Sequence, residues 1–213
     1  SNDSLFFTRS NLDNSKVDKI VSDALHKADD GELFMEFCES ESFVYDDQRL
    51  KSASFDTSKG FGLRAIAGES SGYAHSSDID ENALKKASET VNFITKDHNA
   101  NFNANFSKTN RKLYNEINPI NETEFSEKVE TLKKIDEYAR SKNPNVKQVS
   151  ASLNGEWQAV RIYRPGGIMI EDLRPLVRLY VSIVLEKDGR QENGSRGSGL
   201  SLIHISEPTR RYR

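Results

Sequence analysis

Apolar and polar residues alternate at every second position along several stretches of the chain, which is the spacing of half-buried β-strands. The alternation covers residues 32–45 and continues through the segment 46–76, DDQRLKSASFDTSKGFGLRAIAGESSGYAHS. Gly60, Gly68 and Gly72 mark places where this segment is expected to turn or to lie close to a neighbour. The pattern therefore predicts an antiparallel meander within a first sheet of four strands.

Helical spacing replaces the strand pattern on both sides of this meander. Before it, a helix is expected to begin at the candidate caps Asn14 and Ser15 and to end near residues 30–31, with the apolar stripe Val17, Ile20, Val21, Ala24, Leu25 and Ala28. After it, Asp78 and Glu81 form a candidate capping box ahead of the stripe Leu84, Ala87, Val91 and Ile94. The first unit is thus predicted to have two layers, with its helices on one side of the sheet.

A second unit repeats the order of a helix and then a meander. Asn121 and Glu124 are the candidate cap and N3 acid of a helix that should stop before Asn143-Pro144, with the stripe Phe125, Val129, Leu132, Ile135 and Ala139. Strand patterns follow at residues 146–153, 158–163, 167–171 and 176–186, with turns expected at Asn154-Gly155, 164–167 and 188–189. Because no closing helix follows, we expect an unpaired apolar edge, poor solubility or self-association.

The predicted fold class is α+β, with two helix-plus-antiparallel-meander units in two layers, the second truncated. The boundaries fall at residues 1–95 for the first unit and 121–199 for the second. Residues 96–120 are rich in Asn and Lys with scattered Phe and no sustained period, so we expect a linker. Residues 200–213 form a separate tail.

Composition excludes several classes of function. The net charge of -3 is too small to indicate a nucleic-acid partner, and no apolar run approaches the roughly 20 residues of a membrane span. The start lacks both an initiator Met and the apolar core of a secretory signal. Cys38 is the single cysteine, which fits a reducing cytoplasm.

Few side chains are arranged for chemistry. The acidic cluster Glu39, Glu41, Asp46 and Asp47 fits either a cation site or a solvated strand edge, and the edge is the commoner structure. Arg174 and Arg178 lie on the same side of a predicted strand, where they are candidates for holding a peptide carboxylate or for ion pairs with a neighbouring domain. The glycines at 60–62 and 194–199 do not open a helix after a strand, as a phosphate loop requires. We therefore assign no catalytic, cofactor-binding or metal-ligating residue.

Four segments carry a resemblance: GFGLRAIAGESSGYAHSSDI, ENALKKASETV, VSASLNG and DLRPLVRLYVSIVLEKDGRQENGSRGSG. From about Gly31 to Gly199 the chain resembles the amino-terminal half of the TldD/PmbA family of cytoplasmic metallopeptidases. The resemblance implies a zinc peptidase that acts on unfolded peptides as a heterodimer with a TldE (PmbA) subunit. Its metal would lie in a carboxy-terminal HExxxH helix. No histidine of this sequence begins such a motif, so the chain alone is expected to be inactive.

The tail LSLIHISEPTRRYR is unlike the family and resembles the translation of a sequencing adapter, so residues 200–213 are expected not to be native. Two hypotheses stand. The chain is either the amino-terminal part of a metallopeptidase, capturing peptides by strand addition, or a non-enzymatic peptide- or protein-binding module of the same fold.

Overall fold

A computed structural model describes residues 3–8, 10–98 and 117–200. The elements in chain order are α1 (Asp3–Phe7), α2 (Asn14–Leu25), β1 (Asp30–Asp46), β2 (Arg49–Ala67), β3 (Ser70–Ser76), α3 (Glu81–Thr95), α4 (Phe125–Lys142), β4 (Val146–Arg164), β5 (Ile168–Lys187) and β6 (Arg190–Leu200). The strands form a six-stranded antiparallel sheet in the order β3-β2-β1-β4-β5-β6. The α+β class is confirmed. Most of the predicted linker and residues 201–213 of the tail lie outside the described residues.

The strands are longer and fewer than the sequence predicts. β2 continues through Gly60, and β4 continues through Asn154-Gly155, so the predicted hairpin turn there is wrong. A Cβ on Gly60 would lie 2.8 Å from the carbonyl oxygen of Ser76, and one on Gly155 would lie 3.0 Å from the Glu41 side chain. These glycines therefore allow a neighbouring backbone or side chain to lie close to the strand, which, besides a turn, is a common reason for a glycine in a sheet.

The turns between strands have the backbone geometry that tight hairpins need. Asp47 and Gln48 both have positive φ between β1 and β2, and Asp188 and Gly189 have positive φ between β5 and β6. The predicted turns at 164–167 and 188–189 are confirmed. The turn at 47–48 lacks a glycine, which is why the sequence pattern did not identify it as a hairpin turn.

Helix ends differ from the predicted caps by one to five residues. Asp13, rather than Asn14, caps α2 and accepts from the backbone N–H of Lys16 at 2.8 Å, and this helix ends at Leu25 rather than near residue 30. Asp80, rather than Asp78, caps α3 and accepts from Ala83 N–H at 2.8 Å. Glu124, rather than Asn121, is the N-cap residue of α4, and its side chain makes no capping hydrogen bond. Helix α1 was not predicted, since five residues hold too little of a helical period.

We expect Asp80→Ala to lower the free energy of unfolding by about 1 kcal/mol, the usual cost of losing an N-cap acceptor. Asp78→Ala should change it by less than about 0.5 kcal/mol, because Asp78 is exposed and caps no helix. Urea denaturation followed by circular dichroism compares the two variants. A larger loss of unfolding free energy for Asp78→Ala would show that Asp78, the cap predicted from the sequence, is the residue that caps α3.

The chain divides into two compact units, each assembled from three segments. The first unit comprises Ser1–Cys38, Ser58–Lys112 and Gln158–Asp172. Here α3 packs on β3 and on α2. The core is formed by apolar residues of these helices and of the strands: Val17, Val21, Leu25, Leu33, Met35, Leu63, Ala65, Leu84, Val91, Ala159 and Tyr163.

The second unit comprises Glu39–Thr57, Leu113–Trp157 and Leu173–Arg213. Its core joins α4 to β1, β2, β4 and β5. The buried residues are Phe43, Tyr45, Leu132 and Ala151, with Leu50, Val129, Ile135, Leu153, Leu179 and Val181 packed against them. The predicted α4 stripe is therefore confirmed at Val129, Leu132 and Ile135. Phe125, expected in the same stripe, is 54% exposed.

β6 is an outer strand of the sheet, and it is not apolar. Every residue from Arg190 to Gly199 is exposed, and each is polar or glycine, so the predicted apolar edge is wrong. Apolar surface lies on β5 instead, where Val181, Ile183 and Leu185 line a cleft of about 550 Å³ with residues of α4. The expected self-association stays a prediction.

Candidate peptide-contact surface

The two arginines chosen from the sequence share one face of β5. Leu179 and Val181 pack into the α4 core, so odd-numbered positions of this part of β5 face α4. Because successive side chains of a strand point to opposite faces, Arg178 and Tyr180 face away from α4, with Arg174 farther along the same face. All three are exposed. The structure thus places the predicted arginines along one face of β5 and adds a tyrosine.

The neighbouring strand leaves this face open. Arg178 pairs with Gly199, and Tyr180 pairs with Gly197, so each large side chain lies opposite a residue without one. A Cβ on Gly197 would lie 3.5 Å from the Tyr180 ring, whereas a Cβ on Gly199 would meet nothing within 4 Å. The result, which we call the β5–β6 surface, is a flat strip of exposed backbone flanked by a guanidinium and an aromatic ring.

The outer backbone groups and the side chains of the β5–β6 surface are suited to binding an extended peptide. Within the described residues no strand follows β6 in the sheet, so its outer N–H and C=O groups are open to pairing. Arg178 makes no side-chain hydrogen bond or ion pair in the part of the chain that the structure describes, whereas Arg174 already has an interaction within the protein. Arg178 is therefore the better placed of the two for an external carboxylate.

The acidic cluster is not the solvated edge that the sequence favoured. Its members each have a separate partner: Glu39 accepts from Asn118 Nδ2 at 2.5 Å, Glu41 from Lys128 Nζ, Asp46 from Gln148 Nε2 at 3.0 Å, and Asp47 from Arg140 at 3.5 Å. Most of these partners come from α4 and β4, which are distant in sequence. The correction follows from those long-range contacts, because spacing within β1 alone cannot show them.

No metal site is formed in the described ranges 3–8, 10–98 and 117–200, where no group of three His, Cys, Asp or Glu side chains converges. These residues therefore do not fit a catalytic metal. Both glycine-rich segments lie inside strands, β2 and β6, rather than at a helix start. Among the described residues, no helix has the length and apolar character needed to cross a membrane.

Sequence reasoning missed Tyr180 and the environment of Lys128. Tyr180 had a usable signal, since it follows Arg178 at strand spacing and the glycines of β6 come one hairpin later. Lys128 carried no such signal, because a lysine in the first turns of an amphipathic helix normally faces water. In the structure it is only 7% exposed.

These features define an α+β protein with an antiparallel sheet and an exposed strand edge. Two family models match it: PmbA/TldA metallopeptidase domain 1 over residues 31–92, and the PmbA/TldA metallopeptidase central domain over residues 118–208. The chain belongs to the PmbA/TldD metallopeptidase family.

Curated relatives carry the same family name. The metalloprotease TldD homolog of Haemophilus influenzae is 34% identical over 196 residues, which are 90% of this chain and 41% of that protein. The metalloprotease TldD homolog of Buchnera aphidicola from Schizaphis graminum is 28% identical over 194 residues, 90% of this chain and 40% of that protein. The chain thus spans about two-fifths of the length of these relatives.

Solved structures share the fold. A candidate modulator of DNA gyrase from Bacteroides thetaiotaomicron superposes with a TM-score of 0.68 at 14% identity, over 89% of this chain and 45% of that one. TldE from Thermococcus kodakarensis superposes with a TM-score of 0.52 at 19% identity, over 79% of this chain and 39% of that one. At these identities the likeness is one of fold.

Proposed function

We propose that the chain is the amino-terminal part of a TldD-like zinc metallopeptidase that degrades or processes unfolded peptides in the cytoplasm together with a TldE (PmbA) partner. The observation that carries the proposal is the pair of family models, which cover domain 1 and the central domain in that order. The 34% identity to a metalloprotease TldD homolog supports the TldD branch.

In this proposal the metal is bound outside the described residues. Those residues offer no convergent ligand set, and the relatives are more than twice as long as the matched region. The present chain is therefore proposed to be inactive alone and to contribute binding surface. No step of peptide hydrolysis is assigned to its residues.

The β5–β6 surface is the part that we propose contacts an unfolded peptide or the partner subunit. Strand addition along β6 would supply main-chain hydrogen bonds that do not depend on peptide sequence, as substrates without fixed structure require. Arg178, with Arg174 on the same face, would bind carboxylates of the peptide or of the partner. The likeness to TldE supports a partner of that type, since members of this family share one fold.

A second candidate function is a non-enzymatic peptide- or protein-binding module. The observation that favours it is the same open strand edge, which binds an extended chain with or without a metal centre. The two functions differ in whether binding leads to cleavage.

The test uses the complete gene product that contains this chain, combined with its TldE-type partner and a fluorescein-labelled, reduced and carboxymethylated casein. We expect cleavage that 1,10-phenanthroline abolishes and added zinc restores. Arg178→Ala should lower kcat/KM by about tenfold, the effect of losing one charge-assisted hydrogen bond.

Arg196→Ala is the matched control, because Arg196 is also exposed but pairs with Val181 on the face of β6 that is turned toward α4. It should leave kcat/KM within about twofold of the parent. Casein binding without cleavage at any zinc concentration would favour the binding module. Cleavage that survives the chelator would contradict the metallopeptidase proposal.

A further inference from the structure

The outer edge of β2 has no strand beside it over much of its length. β3 pairs with β2 only from Phe61 to Ala67, and β1 lies on the other side. In the described part of the chain, the outer backbone groups of Lys51–Thr57 therefore face no strand. All seven of these residues are exposed. An unpaired run of this length is a template for one more strand.

A cleft of about 410 Å³ opens beside this edge, on the side of the α4 N-terminus. It has three aromatic rings: Phe43 is buried, whereas Phe55 and Phe125 are 58% and 54% exposed. The rings of Phe43 and Phe125 are 5.5 Å apart and tilted by 58°. The remaining lining residues are Glu41, Ala53, Ser54, Ile120, Asn121, Thr123, Glu124 and Lys128.

The charges at the base of the cleft satisfy one another. Lys128 Nζ lies 2.8 Å and 2.9 Å from the two carboxylate oxygens of Glu41 and donates to the carbonyl oxygen of Ile120 at 2.7 Å. Two of the three N–H donors of the ammonium therefore make hydrogen bonds within the protein, and the charge is paired with Glu41. The remaining charge is the exposed carboxylate of Glu124, which disfavours an acidic side chain, whereas the aromatic rings favour an apolar one.

From this geometry we infer a second peptide site, which we call the β2 site. An extended peptide pairs with the outer edge of Lys51–Thr57 and inserts one apolar side chain between Phe55 and Phe125. The exposed backbone selects an extended polypeptide, since only another main chain matches alternating N–H and C=O groups. The aromatic cleft selects the side chain. The site does not depend on proteolysis and shares no residue with the β5–β6 surface.

The test measures fluorescence anisotropy with the 213-residue chain and three fluorescein-labelled, end-capped heptapeptides. One carries phenylalanine at its centre between Thr and Val residues, the second carries aspartate there, and the third is the first with alternate backbone nitrogens methylated. We expect saturable binding of the first peptide, and at least tenfold weaker binding of the other two, because one loses the aromatic contact and the other the main-chain donors.

Phe55→Ala should weaken binding of the phenylalanine peptide by about tenfold. Phe93→Ala is the matched control, because Phe93 is 80% exposed on α3 and lines no part of the cleft. It should leave the dissociation constant unchanged within about twofold. Sedimentation velocity at the same concentrations reports whether the β2 edge pairs with a second copy of the chain instead.

Three results would overturn the inference: no binding of the phenylalanine peptide, equal binding of the methylated or aspartate peptide, or equal weakening by Phe55→Ala and Phe93→Ala. Dimerisation that Phe55→Ala abolishes, in place of peptide binding, would also overturn it. These outcomes are separate from those of the casein assay, which needs the complete gene product and the metal. The β2 site can therefore be disproved while the proposed function is supported, and the proposed function can be disproved while the β2 site is supported.

Discussion

Replacing Arg161 with alanine should lower the free energy of unfolding by about 3 kcal/mol, because it removes two charge-assisted hydrogen bonds and the packing of two aromatic rings. Arg161 is 2% exposed in β4. Its guanidinium lies 2.6 Å from Asp3 and 2.6 Å from Glu171. Its central carbon is 5.0 Å from the ring centre of Phe6 and 5.7 Å from that of Phe7. Urea denaturation followed by circular dichroism measures the loss.

This arginine stays charged although it is buried. Burial by itself lowers the pKa of Arg161, but hydrogen bonds to Glu171 and Asp3 outweigh that effect and raise the pKa above its ordinary value. The neighbouring hydroxyl of Tyr163 donates to Asn14 at 2.6 Å, and burial raises the pKa of Tyr163. Arg161 thereby holds α1 through Asp3 and Phe6, and the alanine variant should release that helix.

Arg64→Ala is the matched control for this prediction. Arg64 is also an arginine of the sheet with two acidic neighbours, but its side chain is 44% exposed, and its contacts to Glu32 and Asp30 are longer, 3.5 Å and 3.7 Å. Exposed pairs of this kind contribute less than about 1 kcal/mol. Equal losses of unfolding free energy for the two variants would show that the burial of Arg161 does not increase the stability that its ion pairs contribute.

Local pattern was enough to predict most of the fold. Period-two alternation and helical stripes identified the strands and three helices, because these patterns follow from which side of an element is buried. The pattern could not distinguish a glycine at a turn from a glycine inside a strand that lies close to another part of the chain. Gly60 and Gly155 lie against Ser76 and Glu41, and those contacts arise only when separate parts of the chain meet.

The candidate surfaces were predictable only in part. Arg174 and Arg178 were identified by their spacing, and the structure adds Tyr180 and the opposing glycines. The β2 edge was not predictable, because the sequence shows that β3 exists but not that its pairing ends at Phe61. Phe125 looked like a core residue by its position in the α4 stripe. It is 54% exposed, because it is the first residue of α4 and lines an open cleft.

Replacing Lys128 with methionine should destabilise the second unit by about 3–5 kcal/mol, because it leaves the Glu41 carboxylate buried without its partner. The Glu41 side chain is only 9% exposed and both of its oxygens contact Lys128. The double variant Glu41→Leu/Lys128→Met should recover most of that loss and lie within about 1 kcal/mol of the parent, since apolar residues of similar volume often replace a buried pair at little cost. Urea denaturation of the parent, both single variants and the double variant completes the cycle.

Lys133→Met is the control on the same helix. Its ammonium lies 3.9 Å from Glu130 and 3.9 Å from Glu137, and its side chain is 48% exposed, so it should change the free energy of unfolding by less than about 1 kcal/mol. If the losses from Glu41→Leu and Lys128→Met simply add in the double variant, the two charges are not coupled. The inference that Glu41 and Lys128 satisfy each other at the base of the β2 site would then have no support, because it requires the two charges to be coupled.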